Sequence, residues 1–107
     1  MSELRDLQKR ALEIKQKYDE LNTQNGQSTW AGIEFMMGFT GDIGDLTKII
    51  MAKENLRKIN DVDIKLGHEL ADCLWSVLVL ANQYNVDLET EFLKTMNELE
   101  AKISNES

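Results

Sequence analysis

A helix that is apolar on nearly every side has to sit at the centre of a core, and Ile64–Tyr84 reads as such a helix. Ile64, Leu66, Leu70, Ala71, Cys73, Leu74, Val77, Leu78, Val79, Leu80 and Ala81 leave almost no polar face. Two carboxylates, Glu69 and Asp72, nevertheless stand near its middle. Being three residues apart, they share one face about one turn from each other. A carboxylate withdrawn from water costs several kcal/mol unless something compensates it, and a metal ion is one such partner. For a lone Glu-x-x-Asp the plainer explanation is a solvated face beside a bundle. A second acidic pair upstream argues against that explanation.

The rest of the chain supplies three more helices. Leu4, Leu7, Ala11, Ile14, Tyr18 and Leu21 recur at alternating three- and four-residue steps, which predicts a helix over 3–22. Asn25-Gly26 marks a turn, and Ser28 or Thr29 is placed to cap a second helix over about 30–54. That helix contains Gly32, Gly38, Gly41 and Gly44, each costing up to ~1 kcal/mol relative to alanine. Close approach by another helix, or a kink that makes room for a ligand, is the expected reason. Among these glycines lie Asp42 and Asp45, again three apart and poor mid-helix residues. Asn60 or Asp61 is expected to cap the third helix and Asp87 the fourth. In the fourth, Leu88, Phe92, Met96, Leu99 and Ile103 are expected to point inward, and the tail Ser104–Ser107 to fray. No proline, repeat or linker interrupts the pattern. The 107 residues therefore read as one all-α domain, a four-helix bundle.

Nineteen acidic against twelve basic residues, a formal charge of −7, argue against a nucleic-acid polymer as partner. They leave room for a phosphorylated ligand held through divalent cations. The single Cys73 excludes an internal disulfide and a multi-thiolate zinc site, and reads as a small buried hydrophobe in a reducing compartment. The start of the chain lacks signal-peptide character and no apolar run reaches the ~20 residues that span a bilayer, so a cytoplasmic protein without a membrane partner is expected.

Side by side, the two middle helices can bring Asp42 and Asp45 opposite Glu69 and Asp72. An all-oxygen set suits Mg²⁺, or Mn²⁺, better than Zn²⁺. The lone His68 lacks the Glu-x-x-His repeats of a ferritin-like di-iron site and reads as a surface neighbour of the acids. Gly41-Asp42-Ile43-Gly44-Asp45-Leu46 followed by His68-Glu69-Leu70-Ala71-Asp72-Cys73-Leu74 resembles the MazG-type all-α nucleoside triphosphate pyrophosphohydrolases, including their dCTP pyrophosphatase relatives. The resemblance covers roughly residues 28–95, with Lys53 and Val86-Asp87-Leu88 inside it.

It implies a Mg²⁺-dependent enzyme that splits (deoxy)nucleoside triphosphates into monophosphate and pyrophosphate, in house-cleaning of nucleotide pools. The implied metal ligands are Asp42, Asp45, Glu69 and Asp72, and the implied assembly is a homodimer or homotetramer. Glutamates are usual in the family's first motif. The aspartates here are one methylene shorter, so either the helices approach more closely, with Gly41 and Gly44 permitting it, or a water intervenes. Glu69 is the expected base for the attacking water. Lys53 and Lys94 are candidates for the polyphosphate, and Trp30, with Glu34 beside it, for the nucleobase. Trp75 reads as core or interface. Two other readings stay open. One is a catalytically inactive helical interaction module with the same bundle, and the other a phosphoribosyl-ATP pyrophosphohydrolase.

Overall fold

The computed structural model describes residues 3–106; Met1, Ser2 and Ser107 lie outside the described residues, and the rest of the tail expected to fray, 104–106, is instead helical. Among the described residues there are four helices and no strand: α1 (Glu3–Gln24), α2 (Gly32–Lys53), α3 (Val62–Gln83) and α4 (Leu88–Glu106). The all-α class read from the sequence is thus the class observed. Helix limits fall within about two residues of those the spacing predicts.

Three of the helices stop in the same way. Gly26 takes φ 71°, and the N–H groups of Gln27 and Gly26 donate to the carbonyls of Asn22 and Thr23 at 2.7 and 3.1 Å. Asn55 (φ 62°) and Asn85 (φ 56°) repeat the device after α2 and α3, with Leu56 bonded to Met51 and Val86 to Ala81, both at 2.8 Å. Glycine and asparagine are the residues that enter this left-handed conformation most readily.

The helix starts follow the sequence less closely. Ala31, not Ser28 or Thr29, occupies the N-cap of α2, and no side chain bonds there. Asp61 sits at the N-cap of α3 but is itself left-handed, which leaves its carboxylate without a cap bond. Asp87 does cap α4: its Oδ1 accepts the Thr90 N–H at 3.2 Å, and that bond, foremost, holds the Asp87 carboxyl below the usual range.

α2 and α3 pair as an antiparallel hairpin. Gly32 meets Tyr84 at one end, and Lys53 bonds Asp63 at 2.6 Å at the other. The core lies towards the Gly32–Tyr84 end. There Phe35, Leu78 and Val79 pack with Ala11 of α1, and Leu4, Trp75, Leu80 and Leu88 close round them. Each large apolar side chain buried there contributes about 1.5–3 kcal/mol. α1 is fixed across α3 by two bonds, Gln8 Nε2 to the Leu78 carbonyl at 3.2 Å and Trp75 Nε1 to the Ala11 carbonyl at 3.0 Å.

Three expectations are corrected. α3 is central only in its second half, where Ser76, Leu78, Val79 and Ala81 are buried; Ile64, Leu70 and Leu74 stay exposed. α4 buries no residue, and Phe92 and Ile103, expected inward, are 56% and 68% exposed. Only Leu88, at its start, reaches the core, because the helix leaves the α2–α3 pair after Asp87. The molecule is accordingly extended, with a radius of gyration of 17.0 Å where a compact domain of this length has about 13 Å. Lastly, a Cβ at Gly41 or Gly44 would meet nothing within 4 Å. Close approach occurs instead at Gly32, where a Cβ would lie 2.8 Å from Tyr84 Cζ, and at Gly38, 3.4 Å from the Trp30 ring. No helix among the described residues is long and apolar enough to cross a membrane.

Candidate metal centre

The antiparallel pairing sets Asp42, midway along α2, against the first half of α3. Oxygen atoms of Asp42, Glu69 and Asp72 come within 4.8 Å of one another, all three residues half-buried. Glu69 and Asp72 meet Asp42 together because they are three residues apart on one face of α3. Three of the four acids expected from the sequence therefore converge. Asp45, one turn after Asp42, stands outside that radius and is exposed. It lines a hollow of about 430 Å³ with Lys48, Lys65, His68 and Glu69.

Packing carboxylates together without a cation disfavours their charged forms. Burial, first, and then the charges of Asp42, Asp45 and Asp72 push the Glu69 carboxyl above its ordinary range. Asp42 is raised likewise, by burial and then by Asp72 and Asp45. Glu69 Oε2 is buried with no hydrogen-bond donor, a costly state for an acceptor removed from water. His68, placed as a neighbour of the acids, meets them at the rim: its Nε2 lies 3.1 Å from Asp72 Oδ2, with the ring well exposed. Cys73, half-buried behind the cluster, has its thiol pushed up by burial and by Asp42, Glu69 and Asp72, as suits a packing residue rather than a nucleophile.

The other candidates are dispersed. Lys53 is tied to Asp63 at the hairpin tip, about 16 Å along α2 from Asp42. Lys94 stands on exposed α4. Glu34 is half-buried, and its Oε2, like that of Glu69, has no hydrogen-bond partner. Trp30 packs edge-on against Phe35 at 5.4 Å, and Phe35 against Trp75 at 5.3 Å. Trp75, read as core or interface, does pack on the core, but it also borders a cleft together with Trp30. The polar residues of that cleft, Asp19 and Asn22 of α1, were not singled out from the sequence. They fall among the charged and polar residues between the apolar positions of α1, and nothing in that spacing sets them apart.

The donor set fits a hard divalent cation: three carboxylates, a fourth one turn away, and a buried oxygen without a donor. Comparison with protein families, curated proteins and solved structures gives no match for the chain.

Proposed function

We propose that this protein is a Mg²⁺-dependent pyrophosphohydrolase of nucleoside triphosphates. The observation that carries the reading is the convergence of Asp42, Glu69 and Asp72, with Glu69 Oε2 buried and donorless. The resemblance of the two acidic motifs to MazG-type enzymes supplies the reaction. Asp42, Glu69 and Asp72 would hold the cation, with Asp45 beside them. When bound, Mg²⁺ or Mn²⁺ neutralises phosphate charge and lowers the pKa of the water it carries. Glu69, at the centre of the cluster, orients the attacking water and takes its proton on a carboxylate oxygen. His68 stands at the rim with its Nε2 3.1 Å from Asp72 Oδ2, where it can orient that carboxylate towards the cluster.

Assembly belongs to the same proposal. The chain exposes 8208 Å², against about 6,100 Å² for a compact monomer of 12.3 kDa. The excess, about 2,100 Å², is of the size one partner buries in a large permanent interface. A homodimer, or a dimer of dimers, would cover the apolar faces of α2 and α4 and complete the four-helix bundle around the pair. The same uncovered faces favour the second reading, a non-catalytic interaction module.

A panel of nucleoside triphosphates with Mg²⁺, scored for monophosphate and pyrophosphate, separates the two. Release that needs the cation and is lost in Glu69→Gln is the expected result. No release from any triphosphate would leave the interaction module.

A further inference from the structure

Both tryptophans of the chain border one cleft, of about 430 Å³, beside the acids. Trp30, Trp75, Phe35 and Tyr18 form its walls, with Tyr18 and Trp75 6.0 Å apart between centroids. The cleft and the acids share a face: Trp75 follows Asp72 by three residues on α3, and Phe35 precedes Asp42 by seven on α2, about 5 and 10 Å of helix rise. The Trp30 ring lies over Gly38, and so covers the turn between Phe35 and Asp42.

The cleft's polar side comes from Asp19, Asn22 and Gln27. Lys15 takes Asp19 Oδ2 at 2.6 Å. Among the described residues no donor meets Oδ1, and the carboxamides of Asn22 and Gln27 have no hydrogen-bond partner. A wall of aromatic rings accepts any flat ring, whereas an ionised carboxylate only accepts hydrogen bonds. It pairs with an exocyclic amino group and repels a carbonyl oxygen at the same position.

We infer that this cleft is the nucleobase site and that it selects bases bearing an exocyclic amino group, read by Asp19 and held between the aromatic rings. The inference rests on the pyrophosphohydrolase reading for the position of the phosphates, but its test does not. Cytidine and uridine, and adenosine and inosine, are near-isosteric pairs that exchange an amino group for a carbonyl. Titrated without metal into the full chain, cytidine and adenosine should quench tryptophan fluorescence saturably. Uridine and inosine should bind about tenfold more weakly.

Asp19→Asn should remove the preference while stacking persists. Lys15→Ala, which breaks the ion pair but keeps the carboxylate, should retain it and so control for helix damage. Equal binding within each pair, or no saturable quenching by any nucleoside, would overturn the inference. Mg²⁺-dependent pyrophosphate release without base preference would overturn it while sparing the acids. Amino-selective nucleoside binding in a protein that releases no pyrophosphate would uphold the cleft and sink the enzyme.

Discussion

The α2–α3 pair and α4 are written in the same apolar code and meet opposite fates. Phe35, Leu78 and Val79 are at most 3% exposed, whereas Phe92, Leu99 and Ile103, spaced just as regularly, range from 47% to 68%. The difference is in the partners. The connection over 54–61 folds α2 back on α3, so that each helix covers the other. The Asn85–Asp87 turn instead sends α4 away from the pair. Periodicity states which face of a helix must be covered and is silent on what covers it.

The sharpest way to test that contrast is to truncate one residue on each side. Phe35→Ala should cost about 3–5 kcal/mol in chemical denaturation, since it hollows the only closed core among the described residues. Phe92→Ala should leave protomer stability within about 0.5 kcal/mol. If a second copy covers α4, the same substitution should weaken assembly instead, seen in sedimentation as more monomer at equal concentration. Parent protein that sediments as a monomer at micromolar concentration would show that α4 is left bare.

A smaller effect separates the glycines. Gly44→Ala should raise stability of the isolated chain by up to ~1 kcal/mol, because its Cβ enters open space and alanine favours helix. Gly32→Ala should lower stability, because the new Cβ displaces the Tyr84 ring. If Gly44→Ala lowers assembly or activity while raising helix stability, the glycine is kept for a neighbour outside the chain.

The smallest effect is in pH. Asp42 and Glu69 have folded pKa values raised above their unfolded ones, so the folded state binds more protons. Their contribution therefore weakens folding as pH rises from the ordinary carboxylate range, about pH 4, through the raised values. Denaturation midpoints of the metal-free protein should show this decline, and Glu69→Gln should flatten it. A midpoint rising over that interval in the parent and unchanged by Glu69→Gln would contradict the burial of these charges.

Much of this was legible in the sequence. The helix limits followed from apolar spacing, and the positions of Asp42, Glu69 and Asp72 from two i, i+3 pairs on neighbouring helices. What was not legible depends on geometry between helices. Asp45 shares its motif with Asp42, yet one turn of helix carries it out of the cluster. Gly41 and Gly44 flank Asp42 and Asp45, but the close approach is at Gly32, against the Tyr84 ring. Asn55 and Asn85, which end α2 and α3, are of a residue type tolerant of positive φ, but apolar spacing alone does not mark them as helix stops. Ser28 and Thr29 have hydroxyls that suit a cap, but the N-cap falls at Ala31, whose backbone is extended.

The central claim is that three carboxylates converge to hold a divalent cation, and Mn²⁺ titration followed by electron paramagnetic resonance tests it most directly. The parent protein should bind Mn²⁺ saturably and release it to Mg²⁺ competition. Glu69→Gln and Asp72→Asn should lose at least about tenfold in affinity, and their metal-free forms should be as stable as the parent or more so, because like-charge repulsion has been relieved. Equal Mn²⁺ binding by the parent and both variants, or variants that unfold without metal while the parent does not, would show that these acids serve the fold and not a cation.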